Sequence, residues 1–157
     1  MTATNRIRNE IEAAIAATIR DGILRTLAVA GLAGVALIHV LDAPGTFQEQ
    51  PWKGWLYVGL IGGCLSTAAA LVARSDTRAW AASILLPAGA MIGFVVSRTV
   101  GLPGGADDIG NWTEPLGLAS LFVEGSLVTV GSAVLAARAA EVRVRTPARS
   151  WIQAVAR

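Results

Sequence analysis

One cysteine, one histidine and one lysine occur among the 157 residues, and each scarcity closes a class of chemistry. The lone Cys64 has no partner for an intramolecular disulfide, so it carries no information about redox compartment. It falls inside an apolar stretch, where a small buried filler is the plain reading and a redox or metal role the rival. The lone His39 rules out a bis-His haem held within one protomer. No His-x-x-x-His, Cys-x-x-Cys or Glu-x-x-His spacing is present. Nor is there a nucleophile elbow, a phosphate-binding Walker loop, a dinucleotide glycine motif or an EF-hand spacing. The sequence names no cofactor, and nothing in it resembles an activated nucleophile.

Charge is missing over long distances. Sixteen residues between Arg25 and Asp42 carry none, as do the 20 from Gly54 to Ala73 and the 19 from Ala79 to Ser97. Pro115 to Ala137 adds 23 residues broken only by Glu124. A hydrocarbon core about 30 Å thick takes roughly 20 mostly apolar residues as a helix. With 54% hydrophobic residues and a mean hydropathy of +0.55, the chain predicts an all-α, membrane-spanning four-helix bundle. The spans are expected at about 23–43, 54–73, 79–98 and 115–138, leaving a tail over 139–157. No soluble core of comparable size fits beside them. A cleavable signal peptide is not expected, because the long polar start holds no short apolar region ending in a cleavage-like site.

The charge that is present is sorted. Eleven arginines cluster by the N-terminus, the 74–78 turn and the C-terminal tail, whereas Lys53 and Arg98 alone flank the other two loops. By the positive-inside rule both termini are expected in the cytoplasm. The opposite loops are acidic, with Asp42, Glu49, Asp107, Asp108 and Glu114. Arginines that hug membrane ends are drawn to anionic headgroups, so the basic balance points to the lipid bilayer and away from nucleic acid.

Residues 1–22 hold Ile7, Ile11, Ile15 and Ile19 at four-residue spacing among polar neighbours. That pattern predicts an amphipathic helix lying on the cytoplasmic interface, bent into the first span at Gly22. A partner-binding helix and a disordered segment are the rival readings. Pro44, Gly45 and Pro51 predict a loop over 43–53, with Trp52, Trp55 and Tyr57 as an interfacial aromatic belt. A tight hairpin is expected at 74–78, a kink at Pro87, and a break at Pro147. Trp151, Ile152 and Val155 are placed to return the tail to the membrane. Gly89 and Gly93, with Gly31, Gly34, Gly59, Gly63, Gly117 and Gly125, offer small-residue notches for helix packing within the bundle or for self-association.

Three ionisable positions are expensive in hydrocarbon: His39, Arg98 and Glu124. Glu124 lies about 15 Å into its span at 1.5 Å per residue. Asp42 is nearly one turn beyond His39, and Glu114 opens the fourth span. His39, Asp42, Arg98, Glu114 and Glu124 are therefore expected to converge as a polar cluster, with Arg98 pairing Glu124 or Glu114. The cluster reads as a structural clamp, as an outward-facing pocket for a small molecule, proton or metal, or as a contact for a partner subunit. A His39, Asp42, Glu124 metal site is chemically conceivable. Asp107 and Asp108, with Gly110 and Asn111, read as a solvated acidic loop, a loose Ca²⁺ site being the rival.

The stretch Ser97-Arg98-Thr99-Val100-Gly101-Leu102-Pro103-Gly104 is the most specific part of a wider pattern. Glu114-Pro115-Leu116-Gly117-Leu118-Ala119, Glu124, His39 and Trp52 belong to it. Over about residues 31–135 the chain resembles a group of small four-helix actinobacterial integral membrane proteins. The Arg-over-Lys bias, with heavy Ala, Gly and Val use, fits a high-GC bacterial genome. The resemblance implies the bacterial plasma membrane and a four-span fold; it supplies no chemistry. This chain departs from it at Ala119-Ser120, where relatives are expected to carry an acidic residue. The functional expectation is an accessory or stabilising subunit of a larger membrane assembly, with a membrane protein or a second copy as partner. A small-molecule, proton or metal-binding membrane protein (transport or redox) is the alternative, and a membrane enzyme ranks third.

Overall fold

The computed structural model describes the backbone of residues 3–155 and the side chains of residues 4–143. Four α-helices make up almost all of it: α1 (Ala3–Glu49), α2 (Pro51–Ala73), α3 (Thr77–Thr99) and α4 (Pro115–Val155), with a short 3-10 turn at Ala106–Asp108. Each helix is long and apolar enough to cross a membrane. The chain is a multi-pass membrane protein. The helices alternate in direction, and each packs against its two neighbours in the order α1–α2–α3–α4–α1. The start of α1 and the end of α4 therefore lie at one end of the bundle, on the side of the α2–α3 turn. This is the hairpin end. The other, the loop end, carries the α1–α2 junction and the segment joining α3 to α4.

Polarity runs from inside to outside in the sense a bilayer demands. Leu37, Leu41, Leu56, Leu65, Leu85, Ile92 and Phe122 face outward, while Glu124, Ser83, Thr67 and His39 are buried among Leu32, Val35, Cys64, Leu71, Trp80 and Leu127. Lipid solvates apolar side chains as well as a core does, so packing must come from close approach of backbones. Gly31 and Gly34 provide it between α1 and α4: a Cβ at Gly31 would lie 2.8 Å from Leu127, and one at Gly34 would lie 3.3 Å from Val123. Gly63 receives Leu86 of α3, and Gly131 receives Ile84. The Gly89–Gly93 pair does not serve the bundle. A Cβ at either position would meet nothing within 4 Å, because this face of α3 points away from its neighbours.

α1 differs from expectation at both ends. It is one uninterrupted helix of 47 residues, about 70 Å at 1.5 Å per residue. There is no separate interfacial helix ending at Gly22. A glycine weakens a helix by about 1 kcal/mol, too little by itself to break a long one. The loop expected over 43–53 shrinks to a single non-helical residue, Gln50. Pro44 removes one backbone donor but is accommodated within α1. Tertiary packing holds this last stretch. Gly54 has no side chain, and the Phe47 ring fills its place; a Cβ there would lie 2.6 Å from the ring. Phe47 also meets Trp55 edge-on at 5.7 Å. Gln50 leaves the helical region at φ −141° and ψ 81°, as a residue before proline is pushed to do, and Pro51 starts α2 where its missing N–H is harmless.

The α2–α3 turn is as tight as its length predicts. Ser75 sits at φ 47°, and Asp76 caps α3 by accepting from the Ala79 N–H at 2.8 Å. Trp80, fully buried, donates from Nε1 to Ser75 Oγ at 3.2 Å, and Arg138 donates to the Ser75 carbonyl at 3.0 Å. α3 runs through the buried Pro87. α4 continues through position 147 to Val155, so no break separates a tail from the fourth span. The side chains of Trp151, Ile152 and Val155 lie outside the described residues.

Candidate functional site

The polar residues of the loop end form two layers. The upper layer is a knot. α3 ends at Gly101, whose φ of 80° lets the chain turn back while its N–H bonds the Val96 carbonyl at 3.1 Å. The following segment folds over the bundle, and the Gly110 N–H returns to the Arg98 carbonyl at 3.0 Å. Arg98, 7% exposed, donates from Nη1 to the Asp108 carboxylate and reaches Glu114 Oε2 at 3.9 Å. Its guanidinium also lies over the Phe94 ring, 5.0 Å from the centroid. Lys53 of α2 binds the other Asp108 oxygen at 3.3 Å, and Trp52 donates to the Pro103 carbonyl at 3.2 Å. Glu114 also caps α4, accepting from the N–H groups of Leu116 at 2.9 Å and Gly117 at 2.6 Å. Two cations and two carboxylates thus tie α2, α3, α4 and the loop together.

The lower layer is within the spans. Asp42 accepts from Tyr57 Oη at 2.9 Å and from Thr46 Oγ1 at 3.3 Å. The Tyr57 ring meets the His39 ring edge-on at 4.6 Å. His39, 8% exposed, places Nδ1 2.9 Å from the Val35 carbonyl. A carbonyl only accepts, so Nδ1 carries the hydrogen and Nε2 is the basic atom. Glu124 is 1% exposed and accepts from Ser120 Oγ at 2.8 Å. His39 and Cys64 are the titratable groups nearest to it on α1 and α2.

The five residues singled out in the sequence are therefore divided. Arg98 and Glu114 belong to the knot, and His39, Asp42 and Glu124 to the interior. Arg98 meets Glu114 but does not meet Glu124. Among the described residues no Lys, Arg or His nitrogen stands at ion-pair distance from Glu124. The reason is axial. Glu114 and Glu124 are ten residues apart on one helix, about 15 Å, beyond what one guanidinium can bridge. Among the described residues no group of three His, Cys, Asp or Glu side chains is placed to hold a metal. His39, Asp42 and Glu124 are therefore not gathered into such a group. Asp108 is not a solvated loop residue but the centre of the knot, while Asp107 is exposed.

Sequence reasoning missed Asp108, Lys53, Tyr57 and Ser120 as partners. Ser120 was within reach of a helical-face argument, because it precedes Glu124 by four residues on α4. The pairing of Tyr57 with Asp42 depends on how α1 and α2 align, which no local spacing reports. Comparison with family models, with curated proteins and with solved structures finds no match to this chain.

Proposed function

We propose that the protein is a non-enzymatic accessory subunit of a larger membrane assembly in a bacterial plasma membrane, with both ends cytoplasmic. One observation carries this reading. α1 begins about 20 residues before the packed bundle, and residues 4–20 are all exposed. Ile7, Ile11, Ile15 and Ile19 stand 54–57% exposed along that segment. A helix lying flat on the membrane would have to turn sharply near Gly22, and α1 is continuous there. Lone helices of this length are marginal in water, so four exposed isoleucines call for a cover. A partner subunit that receives the stripe as a helix in a groove provides one. The eleven-to-two split of basic residues supports cytoplasmic ends. The likeness to small actinobacterial membrane proteins supports the bacterial membrane.

The knot supports a structural rather than a substrate-handling loop end. Its charges are committed to one another, and the loop closes over them. The test is gentle extraction from native membranes with mass spectrometry of what co-purifies, repeated with a photo-crosslinking residue at position 11 or 15. Crosslinks to one defined membrane protein are expected. A lone monomer, crosslinked to lipid only, would end the proposal.

A further inference from the structure

Glu124 is used by neither the knot nor the docking helix. It is the only charged-type residue in the central part of α4's apolar span, and it is sealed from every side. An ionisable group so placed is expensive in hydrocarbon unless it is paired, hydrated or neutralised by a proton. The surroundings supply no cation at ion-pair distance. They do supply a base. Gly31 stands against Leu127 and Gly34 against Val123, which fixes the antiparallel register of α1 and α4. Five residues further along α1, that register brings His39 opposite the Leu118–Ser120 turn. Ser120 is the donor to Glu124. The imidazole and the carboxyl thus sit about 8 Å apart in depth on facing helices, and the Ser120 hydroxyl that bonds Glu124 lies on the α4 turn opposite His39.

We infer that Glu124 and His39 form a buried acid–base pair that binds one exchangeable proton. The bare pair is a carboxylate and a neutral imidazole. The loaded pair has one added proton, held as an O–H on Glu124 or an N–H on His39 Nε2. Loading forms that one bond and leaves the site without net charge, the form that hydrocarbon tolerates. Unloading breaks the same bond and returns the proton to solvent water. Nδ1 stays bonded to the Val35 carbonyl throughout, which holds the ring in place.

The way in is from the loop end. Asp42 lies nearly one turn beyond His39 on α1, and Tyr57 of α2 contacts both, donating to Asp42 and laying its ring against the imidazole. Cys64 of α2 is the remaining titratable neighbour of Glu124. α3 contributes none at this depth, since its charged residues are Arg78 and Arg98 near its two ends. Asp42 is therefore the entry carboxylate, Tyr57 its positioning partner, and His39 the relay to Glu124.

The chain's single histidine makes the test clean, because one imidazole signal reports one site. The whole protein, labelled with ¹⁵N-histidine and held in lipid nanodiscs, is titrated by NMR and by infrared difference spectroscopy, with circular dichroism as a check of helicity. In Glu124→Gln, the His39 midpoint is expected to move by about one pH unit, tenfold in proton affinity. The carboxylic-acid carbonyl band of the wild type is expected to vanish in that variant. Coupling is reciprocal, so His39→Gln should move the midpoint of the Glu124 band by a similar amount. This second arm stands even if Glu124→Gln fails to fold. Asp42→Asn should slow hydrogen–deuterium exchange of the band several-fold. Unmoved midpoints in whichever variants fold, or a carboxyl band insensitive to position 124, would overturn the pair. Neither readout depends on a docked partner.

Discussion

Arg98 of α3 pairs with Asp108 of the adjoining loop, across ten residues of chain, while the buried carboxyl of Glu124 lies roughly 15 Å deeper along α4 than Glu114. The two costly charges of the loop half are thus handled separately. The arginine is paired with a carboxylate of the loop, and the glutamate accepts a hydrogen bond from Ser120 inside the bundle. The loop is what makes a buried guanidinium tolerable, so the loop's order and the bundle's stability are linked.

Asp108→Asn removes the closest negative partner of a guanidinium that is 8% exposed, leaving Glu114 at 3.9 Å and the Phe94 ring. Breaking a fully buried pair costs about 3–5 kcal/mol. Because Asp108 itself is 24% exposed, a loss of about 1–3 kcal/mol is expected. Asp107→Asn, on the exposed neighbour, should be silent. Unfolding in mixed micelles, followed by tryptophan fluorescence, measures both. Limited proteolysis of the loop should accelerate in Asp108→Asn alone.

Tyr57→Phe deletes one hydroxyl and leaves the ring on His39. Asp42 keeps Thr46 as a donor at 3.3 Å. The loss should be about 1.5–3 kcal/mol, the usual range for a hydrogen bond to a charged group. Asp42→Asn combined with Tyr57→Phe should cost less than the sum of the two, because the pair shares one bond. Strict additivity in the same micelle assay would mean that the 2.9 Å contact contributes nothing.

Much of this fold could be read before any coordinates. Four spans, a tight turn at 74–78 and a bundle with buried polar groups all follow from stretches long enough for periodicity and charge to speak. The errors fall where tertiary contact overrides a local signal. Pro44, Gly45 and Pro51 read as a loop, yet Phe47 packing into the space left at Gly54 keeps α1 helical to Glu49. Gly22 read as a bend, yet one glycine does not end a helix. Gly89 and Gly93 read as a notch for packing within the bundle or for self-association; they do not pack within the bundle, because Pro87, Ser83 and Trp80 mark the buried side of α3. For the site, the sequence could flag His39, Arg98 and Glu124 as costly. It could not assign their partners, because those depend on how far each helix slides past its neighbour.

The hairpin end rests on Ser75 and Arg138. Arg138 donates to the Ser75 carbonyl at 3.0 Å, approaches Asp21 at 3.7 Å, and stacks over Trp80 at 5.7 Å. Its ion pair is half exposed and contributes little. The carbonyl bond and the ring contact matter more. Arg138→Ala should cost about 1 kcal/mol, and Arg138→Lys nearly as much, since an ammonium cannot both stack and reach the carbonyl. Asp76→Ala, which removes the α3 cap, should cost about 1 kcal/mol independently. Hydrogen exchange at the first amides of α3 should rise in both.

Glycines that look alike in sequence should respond in opposite ways. At Gly31 an added Cβ would lie 2.8 Å from both Cγ and Cδ2 of Leu127, a side chain only 3% exposed and unable to retreat. Gly31→Ala must push α1 and α4 apart, and overpacking of this kind costs about 1–3 kcal/mol. At Gly89 nothing lies within 4 Å, so Gly89→Ala meets no clash and lowers the freedom of the unfolded chain. It should be neutral or stabilising by up to about 1 kcal/mol. Because α1 and α4 also carry His39 and Glu124, Gly31→Ala should disturb the single imidazole signal, whereas Gly89→Ala should leave it in place. If both variants were equally silent in micelle unfolding, the α1–α4 contact at Gly31 would not be the close approach that sets the helix register.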